Sequence, residues 1–232
     1  MITTFSDYSQ VTSTPLNFEQ ETLVNEYLES YRPKICCLES YWTQNMTDPL
    51  SVKPFLKSIG WMIDKDIVIA HRFFDSGDGL SFYTKFPDGL IWKDPKLAGI
   101  DVFYIAVHGK PGGLMTSIAE IESDELIAAF NGLDKFSNIV YFGGCDVLGG
   151  KKGKVFAEEF LKKTGTFAVI GYTKEVLWVD SIIIDTLFLT RFFSVEGNQF
   201  EHIQAIFDSV VHDYPAAKEC GFSLFLNRDQ IQ

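Results

Sequence analysis

The sequence predicts an α/β domain built on a mainly parallel sheet with helices on both faces. Three observations carry that expectation. Short apolar runs recur, such as VFYIAV at 102–107, NIVYF at 138–142 and FAVIGY at 167–172. Uninterrupted runs of that length read as strands buried on both faces. Amphipathic segments alternate with them, the pattern of strand–helix–strand units. With 46% hydrophobic and 22% charged residues in 232, the chain can fill one sizeable core.

The elements follow in order. Residues 1 to about 16 are polar and Ser/Thr-rich, and read as a tail. NFEQETLVNEYLESY (17–31) reads as a helix: Asn17 with Gln20 makes a capping box, and Val24, Tyr27, Leu28 and Tyr31 fall at helical spacing. Arg32-Pro33 ends it, because proline disfavours helical backbone in the residue before it. These first 33 residues stand apart from a main domain over 34–232.

Within that domain ICCLESYW (35–42) is the first predicted strand, followed by a helix over 48–62 with Leu50, Phe55, Leu56 and Ile59 inward. A second strand is expected at 67–74, a short helix at 80–86, and a third strand at 101–109. A small hairpin is expected at 112–121, then a helix over 123–133 with Ser123 as cap and Gly132 near its end. A fourth strand (138–145), a helix (155–163) and a fifth strand (167–173) complete the alternation. Helices near 180–193 and 199–213 precede a final strand at 221–226, whose exposed edge could pair across a dimer or be covered by a helix.

Composition excludes several function classes. A formal charge of −11 and no basic block larger than Lys151, Lys152 and Lys154 argue against a nucleic-acid binder. The N-terminus lacks a basic region followed by an apolar one, so no signal peptide is expected. The most apolar helix segment is interrupted by Asp180, Asp185 and Arg191, too charged to span a bilayer. Cys36, Cys37, Cys145 and Cys220 show neither metal-ligand spacing nor a disulfide framework, so a reducing cytoplasm and no metal or other cofactor are expected. HGKPGG (108–113) lacks the spacing of a phosphate-cradling loop.

Functional groups in open α/β sheets collect beyond the carboxyl ends of the strands. Glu39 ends the first strand, His71-Arg72 the second, His108-Gly109 the third, and Gly144-Cys145-Asp146 the fourth; Glu175, Trp178 and Asp180 follow the fifth. If the third and fourth strands are parallel neighbours, His108 and Cys145 project from one edge. A thiol is mostly protonated at neutral pH, so a nucleophilic cysteine needs a base of this kind. Gly109 lets backbone approach a substrate, and the Cys145 N–H is placed to stabilise an oxyanion. Taken singly, a cysteine or histidine at a strand end is an ordinary core or structural group. His71-Arg72 is expected to pack or pair on the sheet, and Cys36 and Cys37 to lie in the core; His202 and His212 have no assigned role.

VFYIAVHG at 102–109 and IVYFGGC at 139–145, with a helix between them, resemble the caspase-like cysteine peptidases, a group that includes caspases, metacaspases, gingipains, separase and CHAT domains. The resemblance covers roughly 34–226 and looks closest to small stand-alone bacterial members. It implies a three-layer sandwich around a mainly parallel six-stranded sheet. It also implies His108 as catalytic histidine, Cys145 as nucleophile, and the N–H groups of Gly109 and Cys145 as oxyanion hole. Gly143-Gly144 stand where caspases have Gln-Ala, so a caspase proper is excluded. In relatives that cut after basic residues, acids line the substrate pocket from the ends of the first and fifth strands. Glu39, Glu175 and Asp180 occupy those places, with Asp146 beside the nucleophile and Trp178 as a candidate wall. The implied partners are a protein or peptide substrate and an activating partner or ligand, in a bacterial defence pathway, antiviral defence included, or in cell death. A non-catalytic interaction module on the same fold is the alternative.

Overall fold

The structure, a computed structural model, describes residues 32–43, 50–133 and 138–227. The expected N-terminal helix and tail, and the start of the 48–62 helix, lie outside the described residues. Two sheets are present. The main one has six strands in the order β2-β1-β3-β7-β8-β9: β1 (Lys34–Glu39), β2 (Val68–Phe73), β3 (Val102–Ala106), β7 (Ile139–Phe142), β8 (Ala168–Tyr172) and β9 (Phe222–Leu226). The first five are parallel, and β9 closes one edge antiparallel to β8. The second sheet, β4 (His108–Lys110), β5 (Gly113–Met115) and β6 (Glu120–Ile121), is a small antiparallel one.

Helices cover both faces of the main sheet. Helices α1 (Lys53–Ile63), α5 (Trp178–Ser194) and α6 (Ile203–Asp213), with the short α7 (Ala216–Glu219), pack one face through Leu56, Ile59, Ile184, Phe188 and Ile206. Helices α2 (Gly77–Thr84), α3 (Ser123–Ala129) and α4 (Gly150–Thr164) cover the other through Leu80, Leu126, Phe156 and Phe160. The central strands are buried on both sides, which is why β3, β7 and β8 read as uninterrupted apolar runs. No helix among the described residues is long and apolar enough to cross a membrane.

Several local expectations are corrected. Helix α1 starts at Lys53, with Pro54 in its first turn, where a missing N–H costs nothing, and Leu50 is exposed rather than inward. Helix α2 starts earlier than expected because Ser76 caps it, its hydroxyl accepting the Gly79 N–H at 3.1 Å. Helix α3 is capped at Glu122, whose N–H is accepted by the Glu125 side chain at 3.0 Å, so Ser123 is already helical. Helix α4 begins at Gly150, five residues before the apolar pattern becomes visible at Val155. The expected final strand is β9, which pairs antiparallel with β8 at one edge of the main sheet.

One polar group crosses this apolar frame. Asp185 of α5 is buried, and its carboxylate accepts hydrogen bonds from the hydroxyls of Tyr104, Tyr141 and Tyr172 on β3, β7 and β8. Burial pushes the Asp185 carboxyl from 3.8 up to about 6, against the pull of the three hydroxyls. Its folded value lies above the unfolded one, so the stability it contributes is fully present below pH 3.8 and is lost as pH rises through about 6. Relative to Asp185→Asn, the wild type should therefore lose stability between those pH values, by on the order of 3 kcal/mol. Denaturant melts of the two proteins across this range test it, and a pH-independent difference would be contrary.

Candidate active site

Strands β1, β3, β7 and β8 deliver their carboxyl ends to one edge of the main sheet. The chain builds outward in one direction from β1 to β2 and in the other from β3 onward. The switch therefore falls between β1 and β3, the place where open α/β sheets form their ligand crevice. Tyr41 and Trp42 follow β1, the β4–β5 hairpin follows β3, the turn at 143–149 follows β7, and residues 173–177 follow β8.

His108 does not end a long third strand. That strand stops at Ala106, Val107 is buried at a bend, and His108 opens β4 in the small sheet, where it is exposed. The cause is Pro111-Gly112: proline at the second position of the turn and Gly112 at φ +70° make a tight turn that pairs Lys110 with Gly113. The imidazole Nε2 lies 2.9 Å from the Trp42 carbonyl oxygen. A carbonyl only accepts, so Nε2 donates, and in the neutral ring Nδ1 carries the free lone pair. The Trp42 ring meets His108 edge-on at 5.2 Å and Trp178 edge-on at 4.9 Å. The predicted wall residue Trp178 is thus joined to the histidine through Trp42.

Cys145 lies in the turn after β7, half-buried. Its Sγ stands 3.4 Å from both the carbonyl oxygen and the N–H nitrogen of Val176, so residues 173–177 hold the thiol from the β8 side. The Cys145 N–H has no hydrogen-bond partner among the described residues. Lys110 and Gly113 flank a two-residue turn and form a hydrogen-bonded pair; by alternation the next pair, Gly109 and Leu114, does not, and the Gly109 N–H faces away from β5.

The histidine and cysteine segments touch through glycine. A Cβ on Gly109 would fall 1.9 Å from the Cys145 carbonyl oxygen, and a Cβ on Gly144 would fall 2.3 Å from the Val107 carbonyl oxygen. No side chain fits at either position, which is the physical reason for glycine beside both candidate residues.

Compared with protein families, the chain matches the family of unknown function DUF6642 over residues 32–226. It belongs to that family. No curated protein matches the chain. The matched span runs from just ahead of β1 to the end of β9, so the whole carboxyl edge lies inside it.

Glu39 requires a correction, because it is not a free pocket acid. Its carboxylate is fully buried and has four donors: Trp42 Nε1 at 2.8 Å, the Val52 N–H at 2.9 Å, Ser51 Oγ at 2.7 Å and His71 Nε2 at 2.6 Å. Burial raises its carboxyl, but these hydrogen bonds together outweigh that and hold it below the usual carboxylate range. Glu39 instead ties the residues after β1 to the start of α1 and to β2. His71 pairs as expected, with Glu39 as its partner. Cys36 and Cys37 are core residues whose thiols burial pushes up, Cys36 to about 12.

Of the remaining acids, Asp146 and Glu175 lie close enough to interact, while Asp180 has a partner of its own. Glu175 is exposed on the segment that holds the thiol. Asp180, in the first turn of α5, accepts the Tyr214 hydroxyl at 2.9 Å. Burial, reinforced by Glu175, raises the Asp146 carboxyl. Sequence reasoning missed Trp42, which acts through its carbonyl, its Nε1 and its ring, and Val176, which acts through backbone atoms; neither carries a motif.

Gly109→Ala should destabilise the protein by about 1–3 kcal/mol or more, because the Cys145 backbone must move. Glu39→Ala should cost about 3–5 kcal/mol by leaving buried donors and His71 without their acceptor. Urea unfolding of both variants measures these losses, and a wild-type midpoint in either would contradict the assigned contacts.

Proposed function

We propose that the chain is a caspase-like cysteine peptidase in which Cys145 is the nucleophile and His108 the acid–base group. The observation that carries this reading is the contact between the 107–109 and 144–145 backbones, with His108 Nε2 committed to the Trp42 carbonyl. That leaves Nδ1 as the ring's base on the segment that abuts the cysteine. The mainly parallel six-stranded sheet with helices on both faces supports the caspase-like assignment.

Nδ1 takes the thiol proton as Sγ attacks the carbonyl carbon of a peptide. The oxyanion that forms is met by the N–H groups of Gly109 and Cys145. The carbon–nitrogen bond then breaks, the imidazolium gives its proton to the leaving amine, and Sγ holds the acyl group. Water attacks that thioester with Nδ1 again as base, which releases the acid and restores the thiol. Holding Nε2 on a carbonyl fixes the tautomer this cycle needs and stabilises the charged ring.

With Glu39 withdrawn into its own network, a preference for Lys or Arg before the scissile bond rests on Glu175, Asp180 and Asp146, with Trp178 as a wall. The natural substrate in this reading is a protein or peptide, in a bacterial defence or cell-death setting.

The test is cleavage of a peptide library varied at the residue before the scissile bond, by the wild type, Cys145→Ala and His108→Ala. Turnover should fall about 10³-fold or more in either variant, and Glu175→Gln should weaken a basic preference. Activity that survives Cys145→Ala, or a wild type inert towards the whole library, would favour a non-catalytic interaction module.

A further inference from the structure

We propose that Cys37, Glu39 and His71 form a binding site for one zinc-class divalent cation, at the β1–β2 edge of the main sheet. This inference does not depend on the peptidase reading. Cys37 and Glu39 are two residues apart on β1, so strand alternation turns both side chains to the same face. His71 on β2 is the register partner of Cys37, which brings the imidazole beside both. One donor atom from each of the three, a sulfur, a carboxylate oxygen and a ring nitrogen, lies within 4.8 Å of the other two. Thiolate, imidazole and carboxylate together select zinc-like ions over magnesium or calcium, which prefer all-oxygen sites.

The two oxygens of Glu39 are held differently. Oε1 accepts from Trp42 Nε1–H at 2.8 Å and the Val52 N–H at 2.9 Å, donors that cannot become ligands and that fix the carboxylate plane. Oε2 meets His71 Nε2 at 2.6 Å and Ser51 Oγ at 2.7 Å. Both of these can exchange a hydrogen bond for a metal bond. Neutral His71 can carry its proton on Nδ1 and present Nε2, while the Ser51 hydroxyl can rotate and offer a lone pair as a fourth donor. Outer hydrogen bonds of the Oε1 kind orient metal-ligating carboxylates.

Charge and protons balance. The cation replaces the thiol proton of Cys37, which leaves to solvent, and a proton on Nε2 of His71 moves to Nδ1 or also leaves. A divalent ion with one thiolate and one carboxylate is neutral overall, which suits a site where Cys37 and Glu39 are fully buried. His71, on the outer strand β2, is the one of the three side chains that reaches solvent, at 8% exposure.

The test uses the full chain carrying Cys145→Ala, so that the half-buried thiol beyond β7 does not compete. After chelator treatment, zinc is titrated with the bound metal counted by elemental analysis, and cobalt(II) is titrated by absorbance. The expected result is one equivalent bound, with a thiolate-to-cobalt charge-transfer band in the near ultraviolet. Cys37→Ser should remove the band, and His71→Gln should weaken binding at least about tenfold. His71→Gln keeps an N–H donor for Glu39, so it decides the question if Cys37→Ser does not fold. Absence of stoichiometric binding, or binding equal in His71→Gln and the parent, would overturn the site and leave a hydrogen-bonded His71–Glu39 pair in the core.

Discussion

The buried carboxylate of Glu39 organises the carboxyl edge of the sheet. A carboxylate out of contact with water is stable only when its lone pairs are met, and here four donors come from three different places in the chain. By taking them, Glu39 fixes Trp42 after β1, the entry to α1 at Ser51 and Val52, and His71 on β2. Trp42 then offers its backbone carbonyl to His108 and its ring to both His108 and Trp178. The position of the imidazole is inherited from a carboxylate that does not touch it.

Backbone contact makes the second constraint. The β4–β5 hairpin leaves the main sheet at Val107 and comes back against the turn after β7, and only glycine at 109 and 144 permits that approach. The same geometry leaves two N–H groups, those of Gly109 and Cys145, free of strand pairing at the point of contact. Close packing and unpaired donors arise together there, because a hairpin peeled from a sheet edge has backbone groups that its own ladder does not satisfy.

On the opposite side of the cysteine, the thiol rests on Val176, between β8 and α5. Where Val176 stands depends on where α5 docks, and Asp185 docks it by three tyrosine hydroxyls from three neighbouring strands. A wholly apolar helix face could slide along the sheet with little penalty. A carboxylate that must find three hydroxyls has one place to be, so the polar group supplies position where the apolar surface supplies only attraction.

The sequence by itself determined the α/β class and the alternation of strands and helices, and it put forward His108 and Cys145 as the candidates for acyl transfer. Those features are local: apolar runs, helical periodicity, and a histidine and a cysteine each beside glycine just beyond an apolar run. Element ends were less legible at Lys53 and Gly150, because first turns carry capping and backbone signals rather than apolar ones. In sequence Glu39 reads as a pocket acid, because a carboxylate at a strand end looks the same whether it faces solvent or four buried donors. Only the tertiary structure decided that difference. It alone set Cys37 across from His71, brought the Trp42 carbonyl to His108, and placed Val176 against Cys145. Each of these depends on strand register or on a backbone atom that every residue has, and neither leaves a mark in residue type.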